Sequence, residues 1–257
     1  MLALSLRYPL YLIGKLTALA FIFFGGGVLA TTITPLSLLI PGGRRDRIQF
    51  LMHLFFRCYL RMLQLLCLIR LEINGVEKLA KIEGRVVIAN HPSLLDVVIL
   101  MAIMPRVQCI VKHQLWSHKF LGSLMRAAGF IRNDLDPENL LAACKEAIED
   151  GRSLIIFPEG TRTPVASPPR FNRSFANLAL LMPAPIQPVV IRCTPPFLYK
   201  GEPLWRVPPR TPFLRVTAGD YLDAKSYLLY GQRGIAARKL VASLELYYEQ
   251  QLAGDVS

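Results

Sequence analysis

The sequence predicts an α/β fold with a mostly parallel central sheet flanked by helices, preceded by N-terminal membrane-associated helices. Three features predict this fold class: a strongly apolar beginning, short β-branched runs that alternate with helical patterns from about residue 71, and polar loops directly after two of those runs. Strands that alternate with helices usually form a parallel sheet covered on both faces. We therefore divide the chain into a membrane-attaching helical segment, residues 1–70, and an α/β domain, residues 71–257.

Composition and charge narrow the classes of function. The chain has 257 residues, of which 53% are hydrophobic, and a formal net charge of +12 at pH 7. A basic chain suits nucleic acid, an anionic membrane surface or phosphorylated substrates, and the mean hydropathy of +0.36 favours the last two. The sequence has no zinc-ligand spacing or helix-turn-helix signal, so we expect no nucleic-acid partner. The five cysteines form no C-x-x-C pair, which predicts reduced thiols and no metal site.

The first apolar stretch, residues 16–43, carries no charged side chain. It is longer than the about 20 residues that a membrane span needs. Gly25–Gly27 and Pro35 interrupt it, so a tilted helix, a kinked helix and a re-entrant hairpin all fit. A cleaved signal peptide fits less well, because the apolar run continues to Ile40.

The second apolar stretch, residues 48–69, follows a cluster of arginines. Its polar side chains His53, Arg57, Arg61 and Gln64 recur every three to four residues and fall in one stripe of a helix. This pattern favours a helix that lies in the membrane interface over a core helix of the domain. The arginine cluster favours a cytoplasmic position for the domain that follows.

The elements of the α/β domain follow in order. Five apolar runs bounded by turn residues predict strands. Asp136 as N-cap, Pro137 at the first helical position and Gly151 after the end delimit one helix. The predicted strands are 86–89, 107–111, 153–157, 186–191 and 213–216, and the predicted helices are 94–102, 115–128, 137–149, 175–181 and 233–252.

The first polar loop, Asn90–Asp96, follows the predicted strand 86–89. Pro92 suits the first turn of a helix, which would place Asp96 about one turn beyond His91. The carboxylate could then hold one imidazole nitrogen, while the other nitrogen faces outward as a base. Ser93 and Asp96 also match a capping box, which is the purely structural interpretation of the same residues.

The second polar loop, Pro158–Arg162, follows the predicted strand 153–157. The carboxyl ends of strands in α/β sheets are where ligands bind. Gly160 allows the backbone to approach a ligand closely, and the planar fork of Arg162 suits a phosphate group. An ordinary turn with a solvated arginine is the alternative.

Together, the segments Asn90–Asp96 and Phe157–Arg162 closely resemble the motifs of the lysophosphatidic acid acyltransferase family, also called 1-acylglycerol-3-phosphate O-acyltransferases. The segment 112–129 is similar to the middle block of that family, and 185–189 is similar to its fourth block. The resemblance covers residues 75–191, and membrane-attaching helices before the domain are typical of the family.

The resemblance implies that residues 71–257 form a catalytic domain in the cytoplasm at the inner or cytoplasmic membrane. It would transfer a fatty acyl group from acyl-CoA or acyl carrier protein to the hydroxyl of a lysophospholipid, with 1-acylglycerol-3-phosphate as the favoured acceptor and phosphatidic acid as the product. It implies membrane lipids as partners and no metal or other cofactor. It assigns His91 as general base and Asp96 as the residue that orients it; Glu159, Gly160, Thr161 and Arg162 as ligands of the acceptor headgroup; Lys112 and Arg132 as further substrate-binding residues; and Pro188 to the block that lines the site.

This chemistry agrees with the residues themselves. A positioned imidazole that takes the proton of an alcohol typically contributes 10²–10⁴-fold to the rate, and N–H groups at the start of the helix after Pro92 could stabilise the oxyanion. Two departures from the family pattern, the position of Arg132 only three residues after Gly129 and the presence of Ser174 where glycine is common, leave a lyso-ornithine lipid or another lysolipid open as the acceptor. Two other classes remain: a non-catalytic membrane-binding protein, and a serine hydrolase at Ser93, although the latter lacks a G-x-S-x-G elbow.

Overall fold

A computed structural model describes residues 2–81, 84–119, 121–165 and 167–254 of the chain. Within these residues a seven-stranded sheet has the order β1-β7-β6-β2-β5-β3-β4. Each neighbouring pair is parallel except β6 and β7, which confirms the prediction of a mostly parallel sheet. The strands are β1 (Arg70–Asn74), β2 (Val86–Ala89), β3 (Val107–Val111), β4 (Ile131–Arg132), β5 (Ser153–Ile156), β6 (Ile186–Thr194) and β7 (Phe213–Ala218).

The central strands were predictable and the two edge strands were not. Every residue of β2 and β5 is buried, because helices cover both faces of the sheet, and such strands appear in a sequence as continuous apolar runs. The edge strand β1 contains Arg70 and Glu72 and is only half-buried, while β4 is two residues long. Charge and short length are usual features of edge strands, and they remove the apolar pattern on which the prediction relied.

Helices flank the sheet on both sides. The predicted helix 137–149 has the predicted bounds, and the Asp136 carboxylate accepts a hydrogen bond from the backbone N–H of Asn139 at 3.0 Å. The helices are α1 (Leu2–Val28), α2 (Thr34–Leu36), α3 (Arg44–Leu65), α4 (Val76–Leu79), α5 (Leu95–Ile103), α6 (His113–Trp116), α7 (Leu121–Ala127), α8 (Pro137–Glu149), α9 (Arg173–Leu181) and α10 (Arg233–Ala253), and a 3₁₀ helix spans Ala224–Tyr230.

The prediction of one helix over residues 115–128 is wrong, since α6 ends at Trp116 and α7 begins at Leu121. At this break the chain folds closely on itself. A Cβ atom on Gly122 would lie 2.3 Å from the carbonyl oxygen of Trp116. Arg126 donates a hydrogen bond to that same oxygen at 3.0 Å, so a side chain satisfies the end of α6 and the helix need not continue.

The first apolar stretch forms one continuous helical segment. A π-helical turn, Leu29–Ile33, joins α1 to α2, and a 3₁₀ turn, Ser37–Leu39, follows. The glycines do not interrupt α1; a Cβ atom on Gly25 would lie 2.5 Å from the ring of Phe55 on α3, so Gly25 allows the two helices to approach closely. The 29-residue stretch Tyr8–Leu36 is long and apolar enough to cross a membrane. The structure therefore has a helix here and not a re-entrant hairpin.

The helix α3 packs against α5 through one face. Its residues Met52 and Tyr59 are buried. His53 is buried as well, with Nδ1 2.9 Å from the carbonyl oxygen of Met101, so the predicted polar stripe is wrong at this position. The other three members, Arg57, Arg61 and Gln64, are exposed. A helix that packs on the domain must bury one face, and the packing against α5 buries His53.

Two hydrophobic cores lie on opposite faces of the sheet. The first combines the N-terminal helices with α5 and α7, and the second contains α8, α9 and α10. Successive side chains of β2 alternate between them: Val87 and Ala89 belong to the first core, Val86 and Ile88 to the second. The loops that follow β2 and β5 leave the sheet at adjacent positions, because Ile88 pairs with Ile156.

Candidate active site

The loop after β2 brings His91 and Asp96 together. The imidazole Nδ1 lies 2.8 Å from Asp96 Oδ2. The His91 side chain is 15% exposed and that of Asp96 is fully buried. One imidazole nitrogen is thus held from the interior, which is the geometry of a histidine oriented by a carboxylate. The ring also packs on the ring of Phe157, with centroids 4.4 Å apart.

Asp96 takes part in the capping interaction at the same time. Its Oδ2 also accepts a hydrogen bond from the backbone N–H of Ser93 at 2.8 Å, and the Ser93 hydroxyl accepts one from the N–H of Leu95 at 3.2 Å. The His91–Asp96 contact and the capping bonds of Ser93 therefore coexist in one loop. The capping bonds hold the carboxylate that holds the imidazole.

The expected helix start is wrong in one respect. The helix α5 begins at Leu95, so Pro92 lies before the helix and not in its first turn. The N–H groups of Ser93 and Leu95 donate to side chains within the loop, and the N–H of Leu94 donates to the carbonyl oxygen of Leu198 at 3.1 Å. All three donors are engaged, so they do not form the oxyanion-stabilising group that the sequence suggested.

Burial raises the pKa of two carboxyl groups at the site, those of Asp96 and Glu159. Loss of hydration raises the pKa of Asp96 from its ordinary value of 3.8 to about 6, although the hydrogen bond to His91 opposes this change. Burial also raises the pKa of Glu159, against hydrogen bonds from Thr163 and from the N–H of His91. The ionised carboxylate is the form of Asp96 that stabilises an imidazolium.

The loop after β5 fastens the backbone of His91. The N–H of His91 donates to Glu159 Oε1 at 3.0 Å and to the Thr163 hydroxyl oxygen at 3.1 Å. The Thr163 hydroxyl donates to Glu159 at 2.7 Å, and its N–H donates to the carbonyl oxygen of His91 at 2.7 Å. The two sequence motifs therefore meet in space. The Glu159 carboxylate thus contacts the backbone of His91 in the other loop and Thr163 in its own. Thr163, one residue beyond the motif Phe157–Arg162, is a contributor that the motif did not include.

Gly160 and Arg162 lie on the same loop. Gly160 has φ +67°, a left-handed conformation that glycine adopts without strain. The Asn172 side chain donates to the carbonyl oxygen of Glu159 at 3.1 Å and supports this turn. Thr161 is half-buried between them. Arg162 Nη1 donates to the carbonyl oxygen of Leu198 at 2.8 Å, which holds the guanidinium beside the start of α5.

Asn90 connects the loop after β2 to the neighbouring strand. Its side chain donates to the carbonyl oxygen of Ile191 at 2.8 Å and accepts from the N–H of Ile191 at 2.7 Å. The side-chain amide of Asn90 thus takes the place of a backbone partner and extends the pairing of β2 and β6 by one residue. This bond fixes the direction in which the chain leaves the sheet at His91.

Lys112 and Arg132 also lie at the carboxyl ends of strands, but these strands, β3 and β4, are farther from β2 in the sheet. Lys112 is exposed and directly follows β3, where Val111 pairs with Arg132 of β4. At a strand spacing of about 4.8 Å, β3 and β4 lie roughly 10 and 14 Å from β2. Arg132 donates two hydrogen bonds to the carboxylate of Asp134, at 2.8 and 2.6 Å. The fold thus does not bring these two cations into contact with His91.

Pro188 lies on the other side of the sheet. It pairs with Ile88, whose side chain belongs to the core that faces α10. It also borders a cavity that Tyr247 and Gly219 line. His91 lies two residues after Ala89, so by alternation it shares the side of the sheet that Val87 and Ala89 face. Pro188 was expected in the block that lines the site. The structure places it on the opposite side of the sheet from His91, because side chains alternate along β6.

Comparisons with known proteins agree with the motifs. Residues 70–192 match the sequence model of the family described as Acyltransferase. The 1-acyl-sn-glycerol-3-phosphate acyltransferase of Helicobacter pylori is 36% identical over 103 residues, 37% of this chain and 44% of that protein. The protein of the same name from Limnanthes alba is 35% identical over 133 residues (49% and 46%), and that from Pseudomonas aeruginosa is 26% identical over 179 residues (68% and 66%). The chain spans less than half the length of the first two of these relatives.

The fold has a counterpart among solved structures. The crystal structure of the 1-acyl-sn-glycerophosphate (LPA) acyltransferase PlsC from Thermotoga maritima aligns with a TM-score of 0.71 and 21% identity, over 97% of this chain and 98% of that one. At this identity the likeness establishes the fold. Fold and family match together define the chain as one that carries an acyltransferase domain. Within that class, the relatives to which the chain is similar carry the name 1-acyl-sn-glycerol-3-phosphate acyltransferase, in agreement with the resemblance of its two motifs.

Proposed function

We propose that the protein is a membrane-attached O-acyltransferase that moves a fatty acyl group from a thioester to the hydroxyl of a lysolipid, with 1-acylglycerol-3-phosphate as acceptor and phosphatidic acid as product. The observation that supports this most is the distance of 2.8 Å between His91 Nδ1 and the fully buried Asp96 carboxylate. The pair lies at the carboxyl ends of the strands, where ligands bind in α/β sheets. With Nδ1 engaged, Nε2 is the nitrogen that can accept a proton from a substrate.

The proposed reaction needs only these two side chains for its proton transfers. His91 Nε2 takes the hydroxyl proton as the acceptor oxygen attacks the thioester carbonyl carbon. The tetrahedral intermediate collapses with cleavage of the carbon–sulfur bond, and the imidazolium returns the proton to the leaving thiolate. Asp96 keeps the imidazole in one tautomer and stabilises the imidazolium, as the carboxylate of a serine-hydrolase triad does. The proposal requires no metal or other cofactor.

On the acceptor side we assign the headgroup phosphate to Arg162. One of its nitrogens is fixed by Leu198, and its guanidinium can still present a planar pair of donors. Glu159 carries the wrong charge for a phosphate, and its hydrogen bonds to His91 and Thr163 suit a residue that holds the loop. Gly160 and Thr161 would contribute backbone close to the headgroup. Lys112 and Arg132 would form a second cationic position, suited to phosphates farther from the reacting carbonyl.

The proposed location is the inner or cytoplasmic membrane. The apolar segment Tyr8–Leu36 exposes large side chains, among them Phe23 (68%), Phe24 (77%) and Leu36 (60%). Lipid tails would cover such a surface at no cost in polar groups. We place the catalytic domain on the cytoplasmic face, where acyl-CoA and acyl carrier protein are found, and a net charge of +12 attracts it to anionic headgroups.

The test is thiol release by the purified full chain in lipid vesicles. Acyl-CoA and acyl carrier protein are each supplied as donor, with 1-acylglycerol-3-phosphate, a lyso-ornithine lipid and other lysolipids as acceptors. His91→Ala should lower the rate by about 10²–10⁴-fold. His118→Ala, which removes an exposed histidine outside the site, should not. Equal rates for His91→Ala and the unaltered protein would refute the mechanism, and vesicle binding without turnover on the whole panel would favour a non-catalytic membrane protein.

A further inference from the structure

A buried lysine lies inside the apolar helical segment. Lys15 is the only charged residue between Tyr8 and Leu36. Its ammonium group lies 3.1 Å from Glu202 Oε1, and both side chains are 2% exposed. It also donates to the carbonyl oxygen of Arg206 at 3.0 Å. Ionisable residues in a membrane-type helix are costly unless paired, and they usually have a function.

Glu202 belongs to a loop that follows β6, residues 195–206, which we call the bridging loop. Its Oε2 accepts from the N–H of Tyr199 at 3.3 Å. Arg206 Nη1 lies 3.6 Å from Oε1 of the same carboxylate and donates to the carbonyl oxygen of Pro196 at 2.9 Å. These bonds close the loop on itself. The bond to Lys15 then attaches the closed loop to α1.

Further contacts join the bridging loop to the part of α1 that precedes Lys15. The Tyr8 hydroxyl donates to the carbonyl oxygen of Trp205 at 3.1 Å. The ring of Tyr11 meets the ring of Phe197 edge-on, with centroids 6.5 Å apart, and the Lys15 ammonium lies 5.2 Å from the Phe197 centroid. The loop is thus attached to the membrane-type helix through several side chains, and Lys15 supplies the charged contact.

The other side of the bridging loop reaches the candidate active site. The carbonyl oxygen of Leu198 accepts from Arg162 Nη1 at 2.8 Å and from the N–H of Leu94 at 3.1 Å. Leu198 has φ +51°, an uncommon conformation for a residue with a side chain. Such strain persists only where the surroundings determine the backbone from several directions. The contacts to α1 and to the site are two such directions.

We infer that Lys15 is a positioning residue for the acceptor site. Paired with Glu202, it fixes the bridging loop, and through the Leu198 carbonyl it sets the orientation of Arg162. The inference rests on the proposed function, in which Arg162 holds the acceptor headgroup. It connects the helix in contact with lipid to the side chain that would receive a lipid substrate. Loss of the ion pair would therefore impair acceptor binding before it affects the His91–Asp96 pair.

The experiment compares three variants of the full chain in lipid vesicles. Lys15→Met removes the ammonium group, and Lys15→Arg keeps a cation. Lys225→Met is the matched control, because Lys225 is an exposed lysine in the 3₁₀ helix Ala224–Tyr230. Two properties are measured: hydrogen exchange of the amides of Leu94 and Tyr199, and the KM and kcat for acceptor and donor.

In Lys15→Met we expect both amides to exchange about tenfold faster and the acceptor KM to rise about tenfold, the size expected for the loss of one hydrogen bond to a charged group. The donor KM and the pH profile should stay unchanged. Lys15→Arg should recover most of both effects, and Lys225→Met should match the unaltered protein. A merely structural role would reduce the active fraction and hence kcat, and leave the acceptor KM as it was.

Two results would overturn the inference. Unchanged exchange in Lys15→Met would show that the ion pair does not hold the bridging loop, and faster exchange with an unchanged acceptor KM would show that the loop does not position Arg162. Should Lys15→Met fail to fold, Glu202→Gln serves in its place, since an amide can keep the bond to Tyr199 while the charge is lost. If the unaltered protein turns over no thioester, the proposed function fails, and the exchange result still decides whether Lys15 fastens the loop.

Discussion

Replacement of Asp96 by asparagine separates the charge of this residue from its hydrogen bonds. Asp96 Oδ2 accepts from His91 Nδ1 and from the N–H of Ser93, both at 2.8 Å. An amide oxygen in the same position can accept both hydrogen bonds, so the loop should keep its shape. The change removes the negative charge beside the imidazolium that forms during the reaction.

The size of the effect follows from the distance. With Nδ1 and Oδ2 2.8 Å apart, the centres of the two charged groups are about 4 Å apart, and an effective dielectric constant of about 20 gives an attraction of about 4 kcal/mol. That energy corresponds to a fall in kcat of about 10³-fold for Asp96→Asn. Because the interaction arises only when the imidazole is protonated, the KM values for donor and acceptor should change little.

The same substitution should stabilise the protein. Burial raises the pKa of Asp96 in the folded state from 3.8 to about 6, so this group stabilises the fold below about pH 4 and that contribution is lost as the pH rises through about 6. One pKa unit corresponds to about 1.4 kcal/mol, so at neutral pH the buried charge costs up to about 3 kcal/mol, which Asp96→Asn should recover. A variant that is more stable and nearly inactive is the expected combination.

Thiol-release kinetics and thermal unfolding at pH 5 and pH 7.5 test both expectations. In the unaltered protein kcat/KM should fall as the pH drops through about 6, because Asp96 becomes protonated. Asp220→Asn is the matched control, since Asp220 is paired with Lys78 away from the site. A kcat for Asp96→Asn within tenfold of the unaltered protein would refute the assignment of Asp96.

Three further predictions concern the surroundings of the pair. Arg162→Ala should raise the acceptor KM about 10–100-fold with an unchanged donor KM, and Arg162→Lys should recover only part of it; an unchanged acceptor KM would remove Arg162 from the site. Ser93→Ala should cost about 1 kcal/mol of stability and leave the rate within a few fold, whereas abolished turnover would support a serine hydrolase. Tyr248→Phe should lower the free energy of unfolding by about 1–3 kcal/mol, since its buried hydroxyl bonds to the backbone of Ile88 and Val189; an unchanged melting temperature would contradict this.

Several parts of the molecule follow from local chemistry and could be predicted. The pairing of His91 with Asp96 involves residues five apart in one loop, so the strand end and the capping pattern are enough to indicate it. The helix from Pro137 to Glu149 has a capping residue before it and a glycine after it. The central strands are apolar throughout because both of their faces are covered.

Other parts depend on strand order and could not be predicted from any one stretch. The bond from His91 N–H to Glu159 joins residues 68 apart, and it exists because β2 and β5 are neighbours in the sheet. Alternation along β6 turns Pro188 away from the site. The separation of Arg132 from His91 likewise follows from the place of β4 at the far edge.

The sequence by itself determined the α/β class and the histidine–carboxylate pair, because periodicity, capping and turn chemistry act over a few neighbouring residues, and its two motifs carried the resemblance to acyltransferases. Only the tertiary structure decided how these pieces meet. The ion pair between Lys15 and Glu202 joins residues 187 apart, and no local pattern marks either side chain as the partner of the other. A buried charge finds its partner through the packing of the whole chain, and that packing is a property of the fold.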